Sequence, residues 1–328
     1  VDMNYLLICS VILILIIFLL VNNLYKKTNY YNNQILEISK YHKENRNNLK
    51  IVNLGSTYAQ FAFGNYDELK LNGFSFALQS KSLKLDYKIL LKYSKWLSEK
   101  CVVIIPLAPC LLLYENDDYK SDLLYYDVLG KDINNKYSFK QQIKHNFPII
   151  GNPKKLFYIF KDQDRYETIY DKYRCMRSEV ATHTQMKELT STWMKIFKLN
   201  DLKTPDFSAT NVNTITSNIK ILNEILELCK IKQFRPVMVI PPFSTELNSY
   251  FSDQFVNKAL TEHLLKISLK FNIPLIDYRS DSAFKDAICF IDGGFCLNKF
   301  GSQKFMKLLF KDLNEFGIIV NNETSGLN

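Results

Sequence analysis

The sequence lacks the residue patterns on which several common protein chemistries depend. It has only four histidines and no His-Glu-x-x-His motif, which excludes a zinc site of the metalloprotease type. It contains no Gly-x-Gly-x-x-Gly motif and no glycine-rich loop ending in Gly-Lys-Ser or Gly-Lys-Thr, so the two commonest phosphate-binding turns for nucleotides are missing. We therefore expect neither a cofactor nor a metal ion.

Cysteine and charge patterns exclude two further classes. None of the seven cysteines forms a Cys-x-x-Cys pair or a Cys/His cluster with zinc spacing. Most lie in apolar surroundings, as Cys101 does before Val-Val-Ile-Ile, so we expect buried free thiols, with a single disulfide left open. The formal net charge is +9, but the lysines are interleaved with acids and form no basic stretch of the nucleic-acid-binding type. We expect no nucleic-acid partner, and the sequence does not identify a protein partner.

The first feature that is present is a long apolar stretch. From Met3 to Val21 it is interrupted only by Asn4, Cys9 and Ser10, and it is long enough to cross a bilayer as a helix. No small-x-small cleavage site follows, so residues 1–27 are predicted to be an uncleaved transmembrane signal anchor. The alternative is a helix buried in a soluble core.

The orientation of this anchor is ambiguous. Lys26 and Lys27 follow the apolar stretch, and by the positive-inside rule they favour a large domain in the cytoplasm. The chain begins Val-Asp-Met, and a basic segment in front of the helix would reverse that preference. Our expectation is a single-pass protein of the cell membrane with its large domain outside the cytoplasm.

Behind the anchor, the pattern predicts a polar stalk at 28–48 and one α/β domain at 49–320, with a helical insertion at about 114–210 and a tail at 321–328. Short apolar runs typical of buried strands alternate with patterns of helical spacing. This alternation predicts a three-layer α/β/α fold around a parallel sheet, of the flavodoxin-like kind. The strands are expected near 49–54, 73–78, 101–106, 236–242 and 274–277, and the helices near 82–97, 213–230, 251–271 and 299–316.

The chain is organised around the segment 51–58, Ile-Val-Asn-Leu-Gly-Ser-Thr-Tyr. An apolar run ends at Gly55, which permits a sharp turn, and Ser56 and Thr57 place hydroxyl groups at the carboxyl end of the strand. Open α/β sheets carry their binding sites at that edge. The other interpretation is a simple strand-to-helix turn in which one hydroxyl caps the helix.

Two blocks of this sequence resemble those of the SGNH (GDSL-type) hydrolases, whose nucleophile follows the first strand and whose histidine precedes the last helix. Leu54-Gly-Ser-Thr57 is similar to the first block, and 290–301, Phe-Ile-Asp-Gly-Gly-Phe-Cys-Leu-Asn-Lys-Phe-Gly, is similar to the last. More narrowly, 76–90 and 103–107 resemble membrane-anchored bacterial members associated with surface-polysaccharide acylation. The resemblance covers about residues 49–318 outside the irregular middle.

The resemblance implies an acyl-transfer site. Thr57 stands at the position of the nucleophile, with Ser56 as a substitute. Gly73, Asn298 and backbone N–H groups near Ser56 would bind the substrate or its oxyanion. Asp292 and Cys296 stand where the family has its catalytic Asp and His.

The sequence departs from the family at three positions. Thr57 replaces the usual serine, and its methyl group restricts the approach to a carbonyl. Cys296 replaces the histidine, and a thiol in apolar surroundings is a poor proton carrier near neutral pH. Asp292 lies four residues before that position instead of three. His145 or His183, from the irregular middle, is the alternative base, and a small buried residue is the plain interpretation of Cys296.

Two functions of different classes follow from this pattern. The first is a membrane-anchored esterase or O-acyltransferase that acts on an acylated cell-surface polysaccharide, impaired or not by the missing histidine. The second is a non-catalytic SGNH-like protein that binds surface glycan or takes part in its assembly. A third interpretation is an unrelated anchored α/β protein whose blocks match by chance.

Overall fold

The computed structural model of the chain describes residues 3–29, 31–32, 38–41, 46–64, 66–79, 81–115, 126–129, 139–151, 153–160 and 182–318. Its contacts divide the chain into two compact units, one made of 1–44 with 119–168 and the other of 45–118 with 169–328. The predicted tail at 321–328 lies outside the described residues, and so do residues 30, 33–37 and 42–45 of the predicted stalk. The predicted domain boundaries stay predictions.

Five parallel strands form the sheet of the larger unit, in the order β2-β1-β3-β4-β5. This is the flavodoxin-like order, in which a ligand site is expected at the carboxyl edge beside the first strand. A separate two-stranded antiparallel hairpin, β6-β7, precedes the last helix. The strands are β1 (Leu49–Asn53), β2 (Gly73–Ser75), β3 (Leu97–Pro106), β4 (Arg235–Ile240), β5 (Leu275–Asp277), β6 (Phe290–Ile291) and β7 (Cys296–Leu297).

The helices confirm the predicted alternation, with ends that differ by a few residues from those read off the sequence. They are α1 (Met3–Lys26), α2 (Thr57–Ala62), α3 (Leu83–Tyr93), α4 (Tyr126–Leu129), α5 (Phe139–Asn146), α6 (Pro148–Gly151), α7 (Phe157–Phe160), α8 (His183–Phe197), α9 (Ala209–Ile231), α10 (Thr245–Ser249), α11 (Asp253–Val256), α12 (Glu262–Phe271) and α13 (Lys299–Glu315). The helix expected over 251–271 is divided into α11 and α12 by a π-helical turn at Asn257–Thr261.

Helices cover both faces of the sheet, so the predicted three-layer α/β/α fold is confirmed. On one side α9 packs against α3, β4 and α12, and on the other α13 packs against α2. The strands are apolar because both of their faces are buried, as in β3, where Cys101 to Pro106 are all inaccessible to solvent. A fully buried core at the centre of the sheet, with Val52, Val103 and Ile104 aligned across β1 and β3, fixes the carboxyl ends of the strands.

In the smaller unit, α1 is long and apolar enough to span a membrane. Its side chains up to Leu20 are exposed apart from the partly covered Phe18, which argues against the alternative of a helix buried in a soluble core. The helices α5, α6 and α7 belong to the same unit, and α6 and α7 contact α1.

The six cysteines among the described residues are free, and all but Cys9 are buried. The described part of the chain therefore contains no disulfide bond. The predicted buried thiols are present at Cys101, Cys110, Cys229 and Cys289.

We expect Gly55→Ala to destabilise the larger unit. Gly55 has φ +109°, and a Cβ there would lie 2.5 Å from the Cβ of Ala59. The substitution should cost about 1–3 kcal/mol of backbone strain and a similar amount from overpacking. Gly317→Ala is the matched control, because Gly317 also has a positive φ but nothing within 4 Å, so only about 1 kcal/mol is expected. Urea unfolding of both variants in detergent measures the difference; equal costs would contradict the assignment of a close approach at Gly55.

Candidate active site

The turn from β1 into α2 presents two hydroxyl groups at the carboxyl edge of the sheet. Ser56 stands at the N-cap position of α2, yet its side chain makes no capping hydrogen bond. Instead its Oγ accepts the backbone N–H of Lys81 at 3.3 Å. Ser56 and Thr57 are both partly exposed, although the residues on either side of them are buried. The simple capping interpretation therefore does not hold for Ser56.

A buried ion pair holds this turn in place. The Lys81 Nζ lies 2.5 Å from Asp86 Oδ1, and neither side chain is accessible to solvent. The same carboxylate oxygen accepts the N–H of Gly55 at 2.8 Å, and Lys81 Nζ also donates to the carbonyl of Phe76 at 2.7 Å. Asp86 thus joins the glycine of the turn to a lysine that follows β2.

Burial disfavours the charged forms of both side chains of this pair, and their attraction to each other opposes that effect. Burial lowers the pKa of the Lys81 ammonium, and the charge of Asp86 opposes that shift. Burial also raises the pKa of Asp86, against the effects of Lys81 and of the Gly55 N–H. A pair of this kind is stable only when both partners are present, since either charge alone would be buried without compensation.

A cavity of about 170 Å³ opens beside the two hydroxyl groups. Its walls are mainly apolar and aromatic, with Ser56, Thr57 and Lys81 as the polar exceptions near the end of β1. Pockets with apolar walls and a few placed polar groups are typical of small-ligand sites. The remaining lining residues are Tyr58, Ala108, Pro109, Cys110, Leu111, Tyr114, Trp193, Ile196, Phe197 and Phe295.

Phe295 is the centre of the aromatic wall. Its ring stacks on Phe243 with centroids 5.4 Å apart, meets Trp193 edge-on at 4.8 Å and lies 5.4 Å from Tyr58. Burial raises the pKa of Tyr58, so its phenol stays protonated and donates to the carbonyl of Pro106 at 2.8 Å. Each such ring pair adds about 0.5–1.5 kcal/mol beyond its buried area, so the wall is firmly positioned.

The hairpin β6-β7 carries Asp292 in its loop and Cys296 on β7, the two residues predicted to stand at the positions of a catalytic Asp and His. Cys296 is fully buried, and its Sγ lies 3.8 Å from Asp292 Oδ2. Burial, together with the charge and hydrogen bond of Asp292, raises the pKa of the Cys296 thiol well above its usual value. A thiolate nucleophile at this position is therefore disfavoured. Cys296 lies on β7, which packs against α2, but it is not among the residues that line the cavity.

Gly73 and Asn298 make structural contacts. Gly73 aligns with Ile51 near the start of β1, its N–H donates to the carbonyl of Leu71, and a Cβ there would lie 2.3 Å from the ring of Tyr66. Asn298 is the buried N-cap of α13, and its Oδ1 accepts the N–H of Gly301 at 2.8 Å. Neither lines the cavity. Their predicted substrate or oxyanion roles, like those of Thr57, Ser56, Asp292 and Cys296, stay predictions.

No histidine lines the cavity among the described residues. The Nδ1 of His183 lies 2.7 Å from Glu246 Oε1 on an exposed surface, with the hydroxyl of Tyr250 at 3.4 Å. The Nε2 of His263 lies 3.1 Å from the carbonyl of Lys258. His145 belongs to the smaller unit, and His42 lies outside the described residues.

Sequence reasoning missed Lys81, Asp86 and the wall residues Trp193 and Phe295. Lys81 and Asp86 lie in the stretch 76–90 that carried the narrower resemblance, but a lysine and an aspartate five residues apart give no sign that they meet in a core. Lys81 directly precedes Ser82, the N-cap of α3, and Asp86 lies in the first turn of that helix. The sequence did contain one signal of this pair: a charged residue on each side of the helix start, next to an apolar run.

We expect Lys81→Met to destabilise the larger unit by about 3–5 kcal/mol, because it leaves the Asp86 carboxylate buried without its charged partner. The variant should regain stability as the pH falls. Its folded state then binds a proton at Asp86 more readily than the unfolded state does. Urea unfolding at several pH values measures this.

Two controls accompany that substitution. Lys81→Met/Asp86→Asn should recover part of the loss, because the new amide oxygen still accepts from Gly55. Lys266→Met removes the exposed pair with Glu262, and no measurable change is expected. A Lys81→Met variant as stable as the wild type at neutral pH would show that the pair does not hold the turn.

No protein-family model and no curated protein sequence matches the chain. The solved structures that match it include the crystal structure of a Bacteroides fragilis protein provisionally described as an acylhydrolase. That protein shares 9% identity with this chain at a TM-score of 0.41, over 85% of this chain and 94% of its own. The description belongs to the Bacteroides protein; for this chain, the site is defined by its own geometry.

Proposed function

We propose that this chain is a membrane-anchored SGNH-like esterase or O-acyltransferase that acts on acylated cell-surface polysaccharide in the cavity beside Thr57. One observation carries the proposal. A partly exposed hydroxyl side chain, directly after the first strand of a flavodoxin-like sheet, lines an apolar cavity at the edge where such sheets bind their ligands. The flat aromatic faces of Trp193 and Phe295 suit the apolar face of a sugar ring or an acyl chain.

The chemistry would be an acyl transfer through Thr57. Its Oγ attacks the ester carbonyl, the bond from the carbonyl carbon to the sugar oxygen breaks, and the sugar leaves as an alcohol with the proton from Thr57. Water then takes the acyl group from Thr57 in hydrolysis, or a second sugar hydroxyl takes it in transfer. Lys81 and Asp86 act as positioning residues in this scheme, because they hold the Gly55–Ser56 backbone rather than the acyl group.

The anchor fits such a substrate. A helix able to span a membrane would keep the domain near the surface where capsular or wall glycans are modified. The single-pass topology, with the larger unit outside the cytoplasm, belongs to the proposal.

A second candidate function is non-catalytic binding of the same class of glycan. It is favoured by one observation: the position of the family's histidine holds a buried, protonated thiol, and no imidazole lines the cavity in the described part of the chain. A cavity without a base retains its walls and can still bind an acylated sugar.

We expect Thr57→Ala to reduce the hydrolysis of p-nitrophenyl acetate by the full chain to the uncatalysed background, because it removes the attacking oxygen. Thr57→Ser is the matched control and should keep or raise the rate, since it retains the hydroxyl and loses the hindering methyl group. Ser56→Ala should leave the rate nearly unchanged. Undiminished turnover in Thr57→Ala would refute Thr57 as the nucleophile, and turnover lost in Ser56→Ala would move that role to Ser56.

Cys296→His distinguishes the two candidate functions. If the site lacks only its base, an imidazole beside Asp292 should raise turnover by roughly 10²–10⁴-fold. Thr57→Ala/Cys296→His should stay at background, and circular dichroism checks that the buried histidine is accommodated. An inactive wild type that becomes active on Cys296→His supports the binding function. If Cys296→His folds but its turnover does not rise, a side chain at position 296 does not act as a base for the hydroxyl of Thr57.

A further inference from the structure

The short helices α5 to α7 pack directly on the apolar helix α1. The rings of Phe18 and Phe147 lie 5.4 Å apart, and the Asn22 Nδ2 donates to the carbonyl of Asn146 at 3.4 Å. Phe18 lies eight residues before Lys26, the last residue of α1, which corresponds to about 12 Å along the helix axis. The hydrocarbon core of a bilayer is about 30 Å thick. A spanning α1 therefore places Phe147 within one leaflet.

The residues that follow this contact have the composition of a membrane interface. The segment 139–160 reads Phe-Lys-Gln-Gln-Ile-Lys-His-Asn-Phe-Pro-Ile-Ile-Gly-Asn-Pro-Lys-Lys-Leu-Phe-Tyr-Ile-Phe and contains four lysines and no acidic residue. Its net charge is therefore positive, whereas the chain as a whole mixes 42 basic residues with 33 acidic ones. Aromatic rings combined with lysines are the residues that interfacial helices use.

Large apolar side chains of this segment are exposed. Phe139, Phe157 and Phe160 are 78%, 70% and 86% exposed, although phenylalanine is normally buried. Lys140 and Lys144 are exposed on α5, and Lys154 is exposed on the 3₁₀ turn Pro153–Leu156 that precedes α7. Exposed apolar side chains packed beside a membrane-spanning helix are typical of a surface that contacts lipid. The neighbouring lysines favour lipids with negatively charged headgroups.

We propose that residues 139–151 and 153–160 form an interfacial membrane segment, which lies along one leaflet beside α1 and binds anionic lipid headgroups. Phe139, Phe157 and Phe160 enter the boundary between headgroups and acyl chains, and the lysines remain among the phosphates. The occupant of this surface is the bilayer, because the contact with Phe18 fixes the segment at bilayer depth. The inference rests on the membrane anchoring in the proposed function, but not on any catalytic activity.

The test reconstitutes the full chain into bilayers of phosphatidylcholine and phosphatidylglycerol that carry brominated acyl chains, which quench nearby tryptophan. Phe157→Trp reports on the segment, after subtraction of the wild-type signal from the two native tryptophans. Leu13→Trp, in the middle of α1, reports on anchoring. Leu269→Trp is the control in the larger unit, where an apolar side chain is 83% exposed on α12. If Phe157→Trp does not fold, Phe160→Trp provides the same quenching measurement for the segment.

We expect bromine near the headgroups to quench Phe157→Trp more strongly than bromine near the bilayer centre, with a blue-shifted emission. Leu13→Trp should show the opposite order, and Leu269→Trp should not be quenched. If Leu13→Trp is quenched but neither segment variant is, the interfacial segment is wrong and the anchor stands. If none is quenched, the anchor itself is wrong, and the inference falls with it.

A charge variant tests the headgroup preference. Replacing Lys140, Lys144 and Lys154 by Gln should reduce the quenching of Phe157→Trp in phosphatidylglycerol-containing bilayers to the level seen in phosphatidylcholine alone. The matched variant replaces three exposed lysines of the larger unit by Gln, and should leave that quenching unchanged; these are Lys84, Lys232 and Lys307. Equal quenching of Phe157→Trp in both lipids, before any lysine is replaced, would refute the selection of anionic headgroups.

Discussion

The candidate site depends on a single buried ion pair. The turn after β1 contains a glycine with a positive φ and two residues with partly exposed side chains. Asp86 fixes the turn by accepting the Gly55 N–H, and Lys81 compensates the charge of that buried carboxylate. The backbone of Lys81 then donates to Ser56, so one lysine secures both the charge and the position of the hydroxyl. The order of the sheet locates the site, and this pair gives it a defined shape.

The fold could be predicted because its signals are local. Buried parallel strands are short apolar runs, and the intervening helices show apolar residues at helical spacing, so β1, β3, β4, α3 and α9 could be read directly. The parallel sheet and the three layers follow from that alternation, whereas the strand order is given by the structure. The π-helical turn at Asn257–Thr261 could not be read, because it interrupts one continuous apolar pattern without any change of composition.

The site was less accessible to sequence reasoning, because its parts come from distant stretches of the chain. Ser56 and Thr57 were predicted from their position after a strand and line the cavity, whereas Cys296, predicted from its place before the last helix, does not. Trp193 lies on α8, and an irregular stretch of sequence separates it from the first strands. Phe295 lies in the loop of the hairpin β6-β7. Both line the same cavity, and their rings are in contact. Lys81 and Asp86 carry no motif, and their pairing depends on the three-dimensional approach of two backbone segments.

The hairpin β6-β7 also shows how a short loop brings two side chains together. Asp292, Gly293 and Gly294 all have positive φ, and this left-handed run turns the chain back between the two strands, where Ile291 pairs with Cys296. The Asp292 carboxylate thereby reaches the thiol of Cys296, four residues further along the chain. The spacing of two residues in a sequence pattern is therefore only an indirect measure of whether their side chains meet, because the backbone conformation of the loop between them decides it.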